Sequence, residues 1–93
     1  MLTETLRHRL EIVNEKGLHA RASAKLAEVV EAFDATSVIS KDGMRASGDS
    51  IMGLLMLAAS KGTFIEVETS GVQAEALAGA IVALVANRFG EDS

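Results

Sequence analysis

The chain has 93 residues, 48% of them hydrophobic and 24% charged, with a formal net charge of −4. A chain of this length fits one compact domain over residues 1–93 and excludes large catalytic architectures. It contains no cysteine, which excludes disulfide frameworks, thiolate metal sites and cysteine nucleophiles, and suits a reducing cytoplasm.

Only two histidines, His8 and His19, are present, and their separation does not suit paired ligands, so neither a metal nor another cofactor is expected. With no Trp or Tyr, three Phe and an acidic balance, the chain lacks the stacking platform and the charge of a nucleic-acid binder. The first ten residues, MLTETLRHRL, carry charges throughout and form no secretory h-region. The longest strongly apolar run, residues 51–59, falls far short of the ~20 residues a bilayer span needs. A cytoplasmic protein without membrane insertion is expected.

Residues 6–13 alternate, with Leu6, His8, Leu10 and Ile12 on one face and Arg7, Arg9 and Glu11 on the other, the period of a half-buried strand. His8 reads as a half-buried strand histidine with no further role. The strand ends at a turn over residues 14–17, after which Ala22, Leu26, Val29, Val30 and Phe33 fall at helical spacing, predicting a helix from 20 to about 33. Short strands over 36–40 and 43–46 are joined by Lys41-Asp42-Gly43, in which Asp42-Gly43 is a hairpin signal. Ser50 caps a helix over 51–59 that Gly62 terminates. Residues 64–69 form a strand with Glu66 and Glu68 in solvent, closed by Gly71. A last helix over 73–89 buries Leu77, Ile81, Leu84 and Val85. The order β-α-β-β-α-β-α predicts an α+β domain, one antiparallel sheet with its helices on one face.

Gly17-Leu18-His19-Ala20-Arg21 sets a histidine where a strand-to-helix turn ends and a helix begins. The first N–H groups of a helix lack intrahelical partners and carry partial positive charge, so an anion beside His19 meets ready-made donors. Arg21 adds charge-assisted hydrogen bonds, and Gly17 permits a tight entry. These features point to phosphorylation of a ring nitrogen, with His19 as acceptor and later donor. On spacing alone, a plain surface histidine beside a helix terminus remains the commoner case.

The stretch 50–57 is apolar around most of a short helix, so one side faces the core. The other side offers Met52, Leu55 and, at the edge, Ile51 to a partner, unless a loop covers it. Ser50 reads first as an N-cap; a phosphate on it would suit the helix start but stand beside Asp49, which repels it. Glu66 and Glu68 resemble a solvated face rather than an acid/base pair, and no GxxxxGK[ST] loop supports nucleotide hydrolysis.

Gly17-Leu18-His19-Ala20-Arg21 resembles the active-site segment of the HPr family, the histidine phosphocarriers of the bacterial phosphoenolpyruvate-dependent phosphotransferase system. Ser50-Ile51-Met52 and the Leu-rich helix after it resemble that family's regulatory-serine segment, and residues 62–71 match its last strand. The resemblance runs from about Leu6 to Phe89. It implies the HPr open-faced β-sandwich, a four-stranded antiparallel sheet covered by three helices. It also implies that His19 takes a phosphoryl group on Nδ1 from enzyme I and passes it to a IIA protein, as a stoichiometric carrier rather than an enzyme. In that scheme Arg21 and the N–H groups of Ala20 and Arg21 steady the charge. Lys25, Ile51, Met52 and Leu55 meet partners, and Ser50 is a candidate site for an HPr kinase/phosphorylase. A monomer suits such a shuttle.

Residues 54–57, Lys61-Gly62, residues 65–68 and the ending Phe89-Gly90-Glu91-Asp92 resemble the nitrogen-related branch, which serves a regulatory relay. The sugar-uptake carrier and an interaction regulator gated by phosphorylation of His19 or Ser50 are the alternatives. Two positions depart from the family pattern. Ala22 stands where proline usually follows the active-site arginine, which restores one N–H and is expected to alter transfer kinetics. Asp49 stands where the Gram-positive regulatory pattern has lysine, which weakens the case for a kinase at Ser50.

Overall fold

The computed structural model describes residues 5–93, so the charged start weighed above against a secretory signal lies partly outside the described residues. The elements follow the predicted order: β1 (Thr5–Glu11), α1 (Ala20–Glu31), β2 (Thr36–Lys41), β3 (Met44–Ser47), α2 (Ile51–Met56), β4 (Phe64–Ser70) and α3 (Ala74–Ala86), with a 3-10 turn over Arg88–Gly90. The four strands form one antiparallel sheet in the order β1-β4-β2-β3. β4, the last strand in sequence, enters between β1 and β2. Its Ile65, Val67 and Thr69 lie opposite Leu10, His8 and Leu6 of β1, and the last two opposite Ile39 and Ser37 of β2. The inner face so formed buries Ile39, Ile65 and Val67 against Leu26 and Val30 of α1, Leu54 of α2, and Leu77, Ile81 and Val85 of α3. This is the open-faced β-sandwich, three helices over one sheet.

Local chemistry accounts for most boundaries. Asp42 and Gly43, with φ of 51° and 83°, form the two-residue turn of the β2–β3 hairpin, the left-handed pair such turns require. The Ser50 Oγ accepts the Gly53 N–H at 3.0 Å and starts α2. Glu66 is exposed as expected, whereas Glu68 is half-buried and pairs with Arg45 at 3.4 Å.

Leu84, expected to be buried, is half-buried, and further expectations are corrected. His8 is exposed rather than half-buried: its register opposite Val67 sets it on the inner face, but β1 is an edge strand and one side of the ring stays open. α2 ends at Met56, not 59, because Ala58 turns left-handed at φ 52°; Gly62 serves instead the turn that leads into β4. The last helix ends at Ala86, and Phe89, fully buried, belongs to the following turn. Among the described residues, no helix is long and apolar enough to cross a membrane.

Candidate functional site

The turn after β1 fixes the start of α1 from both sides. Gly17 donates to the Asn14 carbonyl at 3.2 Å, and Leu18 donates to the Ala59 carbonyl at 2.8 Å, which ties the turn to the loop after α2. Gly17 has φ 65°, and a Cβ there would stand 2.9 Å from the Ser60 Cα, so both the conformation and the space demand glycine. His19 follows as the N-cap residue of α1 with extended backbone, and its ring makes no capping bond. The N–H groups of Ala20, Arg21 and Ala22 therefore have no acceptor among the described residues. Ala22, fully buried, supplies the third of these donors.

The far end of the chain completes the site. Beyond α3, Arg88 and Phe89 both adopt left-handed φ, 57° and 54°, and Gly90 follows at 79°. Phe89 is fully buried, and its carbonyl accepts the Lys25 ammonium at 2.7 Å. This turn reverses the chain and lays Glu91 on the imidazole, with Oε2 against His19 Nε2. The other carboxylate oxygen accepts Asn14 Nδ2 at 3.0 Å, while the same amide donates to the Gly17 carbonyl at 2.9 Å. The hydrogen bond from His19 holds the Glu91 carboxyl below the usual carboxylate range; the Asn14 amide and the Lys16 ammonium act in the same sense, and burial opposes them.

The ring is held but not enclosed. Its Nδ1 has no hydrogen-bond partner among the described residues, and 26% of the side chain remains accessible. Lys16, Arg21 and Lys25 line a shallow hollow together with residues 90–93. The exposed Arg21 has no hydrogen-bond partner among the described residues, whereas the Lys25 ammonium is engaged by the chain's own turn. A free ring nitrogen, unpaired helix N–H groups and a nearby guanidinium form an arrangement that can receive a tetrahedral oxyanion. No group of three His, Cys, Asp or Glu suited to a metal ion occurs among the described residues.

The remaining candidates lie on α2, which packs beside α1. Ile51 and Met52 are exposed, at 42% and 70%, Leu55 is half-buried and Leu54 fully buried. Met56, which the sequence did not single out, is also exposed and extends the same apolar patch. Ser50 is half-buried with its oxygen committed to the cap. Asn14 and Glu91 were missed as site residues. Asn14 read as a turn former and Glu91 as part of an acidic ending, and no local spacing links positions 77 residues apart.

The family described as "PTS HPr component phosphorylation site" matches residues 6–87. The chain is 47% identical to phosphocarrier protein HPr of Neisseria meningitidis over 87 residues, covering 92% of this chain and 97% of that one. It is 42% identical to phosphocarrier protein NPr of Escherichia coli over 89 residues, covering 95% and 99%. A crystal structure of HPr from Thermoanaerobacter tengcongensis superposes with a TM-score of 0.90 at 31% identity, over 95% of this chain and 99% of that one. With this agreement over nearly the whole length in sequence and fold, the chain belongs to the HPr family of phosphocarrier proteins.

Proposed function

We propose that this protein relays a phosphoryl group through His19 in the cytoplasm, as a stoichiometric carrier that turns over no substrate of its own. The observation that carries this reading is the free Nδ1 of a histidine set at the start of α1, beside three unpaired N–H groups and Arg21. The Nδ1 lone pair attacks phosphorus on the phosphorylated donor, enzyme I. An N–P bond forms as the donor's bond to phosphorus breaks, and the donor keeps that electron pair. Backbone N–H groups of Ala20 and Arg21, with the Arg21 guanidinium, hold the phosphoryl oxygens until a IIA protein takes the group by the reverse steps. The apolar patch of exposed Ile51 and Met52 with the half-buried Leu55 gives both partners a common docking surface, reached by one face of a monomer. Lys25 lines the hollow beside Arg21, with its ammonium on the Phe89 carbonyl.

A nitrogen-related regulatory relay is the favoured setting, on the strength of residues 54–57, 65–68 and the acidic ending at Glu91 and Asp92. The sugar-uptake system is the second reading, since relatives named HPr and NPr are both similar to this chain. The test incubates the protein with phosphoenolpyruvate and enzyme I of either type, and follows its mass. An acid-labile, base-stable phosphate on the wild type and none on His19→Ala is expected. The IIA protein that then removes it separates the two systems. No phosphate with either enzyme I sinks the relay and leaves an interaction regulator.

A further inference from the structure

The reading of His19 as a phosphoacceptor leaves the Glu91 contact without a purpose, and the structure devotes several unfavourable features to making it. Asn14 is fully buried with its Oδ1 unpaired, while both donors of its amide are used, on the Gly17 carbonyl and on Glu91. A flipped amide would set its oxygen against two acceptors, so this orientation is fixed. Two consecutive non-glycine residues, Arg88 and Phe89, adopt left-handed backbone, which such residues rarely do, and the buried Phe89 ring and Lys25 pin the turn that results. Every one of these features serves to hold one carboxylate at one edge of one imidazole.

An ionised carboxylate only accepts hydrogen bonds, and a neutral imidazole carries one N–H. A ring bonded to Glu91 through Nε2 must therefore carry its proton on Nε2, which leaves the lone pair on Nδ1, the nitrogen that has no partner. We propose that Glu91, itself held by Asn14, is a positioning residue that selects this tautomer of His19 and so directs phosphoryl transfer to Nδ1. The inference rests on the phosphocarrier reading for its consequence but not for its geometry. During transfer Nδ1 gains the bond to phosphorus while Nε2 keeps its proton, so the ring becomes cationic and the carboxylate beside Nε2 stabilises that charge. On donation the N–P electron pair returns to Nδ1, and the ring recovers its starting tautomer with no proton exchanged.

The test reads the two ring nitrogens of His19 directly, by nitrogen-15 chemical shifts on the folded protein with the ring neutral, and the rate at which His19 accepts phosphate from enzyme I. The wild type is expected to show protonated Nε2 and unprotonated Nδ1. Glu91→Ala is expected to show a mixture of tautomers and an acceptance rate lower by about ten- to a hundredfold. Glu91→Gln leaves one acceptor oxygen for two donors; with that oxygen on the Asn14 amide its own N–H faces Nε2, so it is expected to move the ring towards the Nδ1-protonated tautomer and to lower the rate at least as far as Glu91→Ala. Unchanged ring shifts in Glu91→Ala overturn the proposal, and so does a faster rate, which would make Glu91 a shield that must leave. A wild type that takes no phosphate at all overturns the carrier reading, while the ring shifts still decide the role of Glu91.

Discussion

At position 17 a side chain meets two separate obstacles. The backbone at φ 65° disfavours any L residue by about 1–2 kcal/mol, and the Ser60 Cα stands 2.9 Å from where a Cβ would lie. That neighbour is main chain rather than a flexible side chain, so relief requires the loop after α2 to move, and this loop holds Leu18 through the Ala59 carbonyl. Crowding of this kind typically adds about 1–3 kcal/mol. Gly17→Ala is therefore expected to lose at least about 2 kcal/mol of stability, a fall in Tm of roughly 8–16 °C for a domain of this size. Thermal unfolding followed by circular dichroism checks it; a fall of under about 3 °C would mean that the turn is plastic and that His19 is not rigidly placed. The need for a glycine here was legible in the sequence, because Gly17 stands between an alternating strand and a helical pattern. What it must avoid, the backbone at Ser60, was not.

α2 shows how far an element can be read from its own residues. Its start was legible because Ser50 precedes an apolar run and the cap is local chemistry, confirmed by the bond from Gly53 to the Ser50 Oγ. Its end was not legible: Leu57, Ala58 and Ala59 are all good helix formers, and nothing in their composition stops a helix. What ends it is the left-handed Ala58, followed by the Ala59 carbonyl, which is drawn across to the Leu18 N–H. A tertiary bond thus overrides propensity. A helix of only six residues depends heavily on its cap and its packing, since it has few internal hydrogen bonds. Ser50→Ala is expected to cost about 1 kcal/mol, the usual value of an N-cap, while Ser50→Asp keeps an acceptor and loses a few tenths. Urea denaturation of the two variants beside the wild type measures the difference. Equal losses in both would mean that the hydroxyl matters for something other than the cap.

At the scale of the whole molecule, what the sequence left hidden is closure between distant segments. Strand alternation, helical spacing and the Asp42-Gly43 turn lie within windows of a few residues and predicted the order of elements. The pairing of β4 between β1 and β2, and the return of residues 88–91 onto the turn at 14–19, depend on the packed fold. The second closure leaves a signature in acid. The Glu91 carboxyl binds its proton less readily in the folded chain than in the unfolded one, because the folded chain supplies the His19 and Asn14 hydrogen bonds. A carboxyl lowered in this way contributes stability that is full above its unfolded pKa and is lost as pH falls through the folded value. Glu91→Gln lacks that contribution at every pH. The wild type is therefore expected to be the more stable of the two at mildly acidic to neutral pH, with the gap closing progressively below about pH 5 as the wild-type carboxyl takes up its proton. Denaturant unfolding of both proteins across a pH series measures the gap. A gap that holds constant or widens in acid would mean that the carboxylate is not bound at the imidazole in solution, and that the strained turn at Arg88 and Phe89 serves only to bury the Phe89 ring.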